Sequence, residues 1–308
     1  MRALVTGGTG FIGSNVVKFL VDEGHEVVVL DNLLSGYLKN LEPFPMVKFI
    51  QGDVRNEKTV ARAVEGVQVI FHLAASVGNA RSVANPIEDS EINVLGTLRI
   101  LEAARALGVR KVVFSSSAGI FGELKTLPIR EDHPVEPISP YGASKLCAEK
   151  LCLAYAKLYP LECVCLRYFN VYGVNQRYDA YGNVIPIFAY RLLQRMPLVI
   201  FGDGEQTRDF VSVRDVAQAN YNAAMASGVS GAFNIASGSR ITINRLAMLM
   251  SEASGLPAKV EYAPPRVGDV RDSLADISAA HSAFGYQPVV GLQEGLAEYM
   301  QWAKKEMV

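Results

Sequence analysis

The sequence predicts an α/β protein built on a doubly wound parallel sheet, with a smaller, interleaved α/β lobe beside it. The first half alternates short β-branched runs with longer stretches of helical periodicity, the pattern of repeated strand-helix units. Those apolar runs are nearly continuous, as strands are when helices cover both faces of their sheet. Glycines 7, 10 and 13 follow the first run directly, where such a sheet turns into a helix and meets its ligand. At 308 residues, 50% apolar and 20% charged, the chain can bury a large core without disulfides or metal.

Strands are expected at residues 3–6, 26–30, 47–51, 67–72, 111–115 and 162–167, and helices around 13–23, 56–64, 88–107 and 141–158. After Arg167 the rhythm breaks, and Gly173, Gly182, Pro186, Pro197, Gly202 and Gly204 separate shorter elements. Further strands at 210–212 and 232–235 are expected to return to the sheet region. Residues 1–167 therefore form a dinucleotide-binding domain to which 208–240 return, while 168–207 and 241–308 form a second, substrate-binding lobe. No internal repeat or flexible linker interrupts them.

Thirty basic against 31 acidic residues give a net charge of −1, which offers no broad footprint for nucleic acid or an anionic membrane. No apolar stretch approaches the roughly 18 to 20 residues of a membrane span, and glycines interrupt the first apolar run before a signal-peptide core develops. Cys147, Cys152, Cys163 and Cys165 form no CxxC pair and have no histidines at zinc-ligand spacing, so no metal is expected. They read as reduced packing residues of a soluble, cytoplasmic protein.

In the segment from Thr6 to Gly13, Gly7 permits a tight turn, Gly10 allows the backbone to approach a pyrophosphate, and Gly13 lets helix and strand pack closely. Phe11 and Ile12 open the helix, whose free N–H groups and partial positive charge suit phosphates. Glycines alone would also fit a plain strand-to-helix turn; here strand, helix and spacing agree. Asp31, followed by Asn32, ends the second strand, where a carboxylate accepts from the adenosine ribose hydroxyls and repels a 2′-phosphate. That favours NAD over NADP, against the alternative of a solvated strand terminus. His72, on an apolar strand, reads as a packed structural histidine.

Tyr141 and Lys145 stand four residues apart just after Ser139 and Pro140, a helix start, and so share one helical face. A phenol with a reference pKa of about 10 is a poor base at neutral pH. A neighbouring ammonium and a cationic nicotinamide would favour its phenolate, and the lysine could also hold the cofactor ribose. The fifth strand runs into Ser115, Ser116 and Ser117, any of which could hold the substrate oxygen.

Glycines spaced as at 7, 10 and 13 resemble those of the short-chain dehydrogenase/reductase superfamily, a Rossmann-fold group. The wider pattern resembles the UDP-galactose 4-epimerase family: TGGTGFIGS (6–14), SSSA (115–118), SPYGASK (139–145), LRYFNVYG (166–173), TRDFVSVRDVA (207–217) and RVGDVRDSLAD (266–276). That resemblance implies NAD as cofactor, a UDP-sugar as substrate and a homodimer formed through the helices near 88–107 and 141–158. It also implies roles residue by residue. Ser117, Tyr141 and Lys145 would be catalytic. Asp53 and Val54 would border the adenine, Leu73, Ala74, Ala75, Asn93 and Ser115 would lie along the cofactor, and Tyr168 would line the nicotinamide site. Asn170, Asn183, Arg208, Arg266 and Asp269 would hold the uridine diphosphate, although Arg208 and Asp209 could instead form a surface pair.

Related dehydratases and decarboxylases carry acidic residues just after the catalytic serine or threonine; this chain has Ala118 and Gly119, which resembles the 4-epimerases. Phe121 replaces the family's usual tyrosine. Ser273 stands where the family varies a gatekeeper, and a small residue there resembles enzymes that admit UDP-GlcNAc and UDP-GalNAc beside UDP-Glc and UDP-Gal. A UDP-glucuronate 4-epimerase is the alternative enzyme. An idle NAD-binding regulator is the alternative class, but sensing NAD would not require a base.

Overall fold

The apolar runs of the first half become six parallel strands: β1 (Arg2–Thr6), β2 (Glu26–Asp31), β3 (Lys48–Gln51), β4 (Val69–His72), β5 (Lys111–Ser117) and β6 (Glu162–Tyr168). In the computed structural model, which describes residues 1–179, 182–265 and 270–307, a further strand, Gly231–Ile235, joins them beyond β6. Among the described residues the sheet runs Gly231–Ile235, β6, β5, β4, β1, β2, β3, with every pairing parallel. The chain winds outward from β1 to β3 and then crosses back to β4. Thr6 is level with both Leu30 and His72, so a crevice opens beyond the carboxyl ends of β1 and β4, where such sheets bind ligands.

Alternation along each strand sorts the apolar side chains into two layers. Val5, Val29, Phe71 and Val113 face helices Phe11–Asp22 and Val213–Met225, which contribute Val16, Leu20, Val216 and Ala219. Leu4, Val28, Ile70 and Val112 face Glu57–Val64, Gly96–Ala106 and Pro140–Leu158. Burial on both faces is the physical reason that these strands read as unbroken apolar runs.

Two elements depart from expectation. The long helix near 88–107 is divided into Pro86–Ser90, a π-helical turn at Glu91–Leu95, and Gly96–Ala106. The widened turn carries Asn93, which lies buried against the segment after β4. Phe210–Ser212 does not enter the main sheet. It pairs in parallel with Asn170–Tyr172, because beyond β6 the Asn170 amide turns to the carbonyl of Asp209 at 3.3 Å.

The second lobe contains two more small sheets, Leu198–Phe201 with Val260–Ala263 and Thr207–Arg208 with Ile241–Thr242. Helices Val184–Leu193, Ile243–Ser254 and Leu292–Glu306 close its core around Phe188, Leu246, Met250, Leu296 and Tyr299. Cys152, Cys163 and Cys165 are buried thiols; Cys147 is exposed on its helix, so it is not a packing residue. Among the described residues no helix is long and apolar enough to cross a membrane, and no cluster suits a metal ion.

Candidate active site

At the end of β1 the chain turns through Gly7, whose φ of 69° lies in the left-handed region that favours glycine. A side chain at Gly7 would reach 2.8 Å from the Ala74 amide, and one at Gly13 would collide with the Gly7 carbonyl. Gly10 caps the first helix, no side chain closes its end, and its first turn holds no acidic residue. Backbone donors at the start of the helix are thus left available beside a tightly packed glycine turn, as the pyrophosphate of NAD requires. Phe11 and Ile12 form the first helical turn.

Asp31 is buried rather than a solvated terminus; its oxygens accept from the Thr9 amide at 3.0 Å and the Leu33 amide at 2.9 Å. Asn32 donates to Asp53 at 3.1 Å, and the Arg55 guanidinium holds the Asp53 carboxyl down at about 2. Val54 is buried against Gly96. Thr6 Oγ1 accepts from the amides of Leu73 and Ala74, which with Ala75 continue past β4. His72 fills a structural role: Thr97 donates to the Asn93 carbonyl, so Nε2–H donates to Thr97 and Nδ1 accepts from Thr6. Burial pushes this imidazole down to about 3, and it stays neutral.

The helix Pro140–Leu158 begins at Ser139, whose hydroxyl accepts from the Gly142 amide at 3.1 Å. Its first turns carry Tyr141 and Lys145 toward the end of β5. The three serines divide by their partners. Ser116 lies on the helix-facing side with Val112 and Phe114, and donates to buried Glu149 at 2.6 Å. Ser115 accepts from Lys145 at 3.4 Å, and Ser117, whose hydroxyl accepts from the Gly119 amide at 3.1 Å, lies beside the Tyr141 ring. Gly119 leaves room for that pair, since a Cβ there would stand 3.3 Å from Ser117 Oγ and 3.7 Å from the Tyr141 ring.

Burial raises the Tyr141 phenol above its ordinary value, Ser117 works against this by favouring the phenolate, and the Asp89 charge raises it further. The phenol thus needs positive charge brought to it before it can act as a base. Lys145 Nζ lies 4.7 Å over the Phe114 ring, and burial brings its ammonium down to about 8. In the unfolded chain this lysine keeps its proton to about 10.5, so between those values the unfolded state binds more protons and folding becomes more favourable as pH rises. Cofactor-free Lys145→Met should therefore be more stable than the unsubstituted protein at pH 7, by a margin that shrinks from pH 8 toward 10.5. Urea titrations at pH 7 and 9.5 check this; a constant margin would contradict the burial penalty.

Sequence reasoning missed Asp89 and Ser144 behind this helix and placed only Asn93 of this group near the cofactor. Asp89, buried, accepts from Ser144 at 2.6 Å, and Asn93 donates to the same hydroxyl at 3.0 Å. Asn93 also brackets both backbone atoms of Ser76, so its amide is fully engaged in fixing the segment after β4. Phe121, in place of the family's tyrosine, lies in an apolar cluster with Ile120, Ile129 and Phe169, its ring 5.2 Å from the Arg167 guanidinium.

Tyr168 lies level with Ser117 across the sheet, and its hydroxyl is engaged by Asn220, leaving only the ring to border a ligand. Asn170 donates its side-chain amide to the Asp209 carbonyl at 3.0 Å. Asp209 is no partner in a surface pair: it is wholly buried and accepts from Ser237, Gly238 and Ala275. Arg208 borders a cavity of about 210 Å3 walled by Phe210, Ser237, Ile241 and residues 288–292. Asn183 stands exposed at the start of Val184–Leu193 with no side-chain capping bond, and Ser273 is buried between Asp272, which accepts from Thr207, and the strand-like contact at Ala275. Arg266 and Asp269 lie outside the described residues.

A glycine cradle at the crossover of a doubly wound sheet, with a tyrosine, serine and lysine gathered at its far side, defines an NAD-dependent enzyme of the short-chain dehydrogenase type. The sequence matches the NAD dependent epimerase/dehydratase family over residues 3–236, and the chain belongs to that family. It is 40% identical to a putative UDP-glucose 4-epimerase of Methanocaldococcus jannaschii, over 98% of each chain. The crystal structure of a UDP-glucose 4-epimerase with UDP-glucose from Thermotoga maritima superposes with a TM-score of 0.95 at 40% identity, over 100% of both chains. A UDP-N-acetylglucosamine 4-epimerase from Methanobrevibacter ruminantium M1, in complex with UDP-N-acetylmuramic acid, gives a TM-score of 0.95 at 36% identity over 99% of both.

Proposed function

We propose that this chain inverts C4 of a UDP-hexose through a transient 4-keto sugar, interconverting UDP-Glc with UDP-Gal and UDP-GlcNAc with UDP-GalNAc. The observation that carries the reading is that Ser117 and the Tyr141 ring stand together beside Gly119, with Ala118 and Gly119 following the serine. It provides a proton acceptor and a hydroxyl to hold the oxygen, with no acid in the two residues that follow to drive elimination. NAD, when bound, supplies the acceptor that takes the C4 hydrogen with its electron pair and gives it back.

Tyr141 removes the C4 hydroxyl proton and later returns it, while Ser117 holds the same oxygen. Lys145 supports the cofactor ribose and adds positive charge beside the phenol. Because one tyrosine serves both faces, the sugar must turn over while its diphosphate stays anchored; Arg208, Arg266, Asn170, Asn183 and Asp269 are the proposed anchors. The reaction is then redox-neutral, and NAD is retained between turnovers. Pairing with a second copy is proposed through the helices that expose Ile87, Leu95 and Leu158.

Incubation with UDP-Glc, UDP-GlcNAc and UDP-glucuronate, with C4 stereochemistry read by NMR, tests the reading; an epimer from none of them would overturn it, and one from UDP-glucuronate alone would favour the uronate alternative. Ser273 bears on sugar choice. Ser273→Tyr should lower kcat/KM for the acetylated sugars by roughly 10- to 200-fold, the usual reach of a pocket contact, and leave UDP-Gal largely unaffected. Equal effects on both sugars would deny it that role.

A further inference from the structure

Arg177 lies in the loop after the Asn170–Tyr172 strand, yet its guanidinium joins three distant parts of the chain. It stacks 3.9 Å from the Tyr37 ring centre and 5.6 Å from that of Trp302. It also pairs with Glu306 at 3.1 Å and donates to Asn40 Oδ1 at 3.4 Å. Lys39 reaches Glu306 as well. The C-terminal helix, Leu292–Glu306, is thereby fastened through Arg177 to the loop that follows Asp31. The loop that bears Arg177 is itself set from behind: Asn15 donates to the Val174 carbonyl at 2.9 Å, Asn175 to Ser14 at 3.0 Å, and Tyr299 to the Gln176 carbonyl at 2.8 Å.

The fastened loop bears directly on the glycine turn. The Tyr37 amide and the Asn40 side chain both donate to the Thr9 carbonyl, at 3.0 and 2.8 Å. The Thr9 amide in turn donates to Asp31. A side chain at Gly36 would collide with Thr9, so loop and turn are in close contact. Thr9 stands between Gly7 and Gly10, and Asp31 is the carboxylate placed for the adenosine ribose. These segments border the glycine turn and the carboxylate assigned to the adenosine end, and they are buckled together from outside by a half-buried cation beside two aromatic rings.

We infer that Arg177 is a positioning residue whose clasp, closed by the C-terminal helix, retains NAD in the protein. The inference rests on the proposed reaction only in that a redox-neutral enzyme keeps its cofactor between turnovers. It concerns residues 37–40, 177 and 302–306, none of which carries the proton or hydrogen transfer.

The test uses the NAD-loaded full chain, with Arg177→Met, Arg177→Lys and Glu306→Gln beside it. Bound NAD after purification, and its rate of loss into an NAD scavenger, are measured directly. Arg177→Met should speed the loss on the order of tenfold, what a cation–π contact and a half-buried ion pair are worth together. Arg177→Lys, which keeps the charge without the planar fork, and Glu306→Gln should each fall between, and kcat at saturating added NAD should stay near that of the unsubstituted protein. Unchanged loss in Arg177→Met overturns the clasp. Should that variant fail to fold, Glu306→Gln decides: faster loss supports the clasp, and an unchanged rate overturns it. If the protein epimerises nothing but these rates still move as stated, the proposed reaction fails and the clasp stands.

Discussion

Tyr141→Phe should lower kcat by about a thousandfold, within the 10²–10⁴ range of positioned acid-base groups, while KM and bound NAD change little. The substitution removes one oxygen from a ring that helix Pro140–Leu158 already holds in place, so the fold loses no packing. What disappears is the proposed acceptor for the C4 hydroxyl proton. Lys145 cannot replace it, because its ammonium is turned onto Ser115 and the Phe114 face. Ser117 cannot either, since an unassisted hydroxyl is a far weaker base than a phenolate. Ser117→Ala should have a smaller effect in the same direction, because Ser117 favours the phenolate and without it burial alone would raise the phenol. Steady-state kinetics with UDP-Gal, alongside the absorbance of bound cofactor, separates loss of chemistry from loss of NAD. Turnover within threefold of the unsubstituted enzyme would remove Tyr141 from its role.

The parts of the molecule readable from the sequence are those governed by near-neighbour rules. All six early strands appear within a few residues of their expected limits, because burial on both faces writes each as a compact apolar run. The glycine cradle is legible because Gly7 and Gly13, at the two ends of a seven-residue span, leave no room for a side chain. The Tyr141 and Lys145 pair is legible because helical spacing brings together residues four apart. The remainder depends on partners far apart in the chain. Nothing around Arg177 announces that it will meet Tyr37, Trp302 and Glu306. The π-helical turn at Asn93 follows from bonds to Ser76 and Ser144, and a periodicity argument reads straight through it as helix. Phe210–Ser212 looks like any short strand; only the turn of the chain after Tyr168 decides that it pairs outside the main sheet.

Arg167→Met should destabilise the folded protein by about 3–5 kcal/mol, the cost of leaving a buried charge without its partner. Glu149 is wholly buried in helix Pro140–Leu158, and Arg167, on β6, has a side chain only 5% exposed. The guanidinium donates to both carboxylate oxygens, at 3.0 and 2.8 Å, and to the Glu131 carbonyl at 2.9 Å. Ser116, at the end of β5, donates to the same carboxylate. The pair therefore sets the depth at which helix Pro140–Leu158 meets the strand bearing Ser115 and Ser117, with Phe121 closing over the guanidinium. Removing the arginine leaves Glu149 with Ser116 as its remaining hydrogen-bonding side chain, in a layer packed by Ala148 and Cys152. Glu149→Leu alone should cost a similar amount by stranding the arginine, whereas the double variant should recover much of the loss, because two apolar side chains make no demand for solvation there. Urea unfolding of the two single variants and the double variant gives the coupling energy. Additive losses would mean that the two charges stabilise the fold independently. A positive coupling accompanied by reduced kcat in the stable double variant would show that the pair also holds Tyr141 and Ser117 in register.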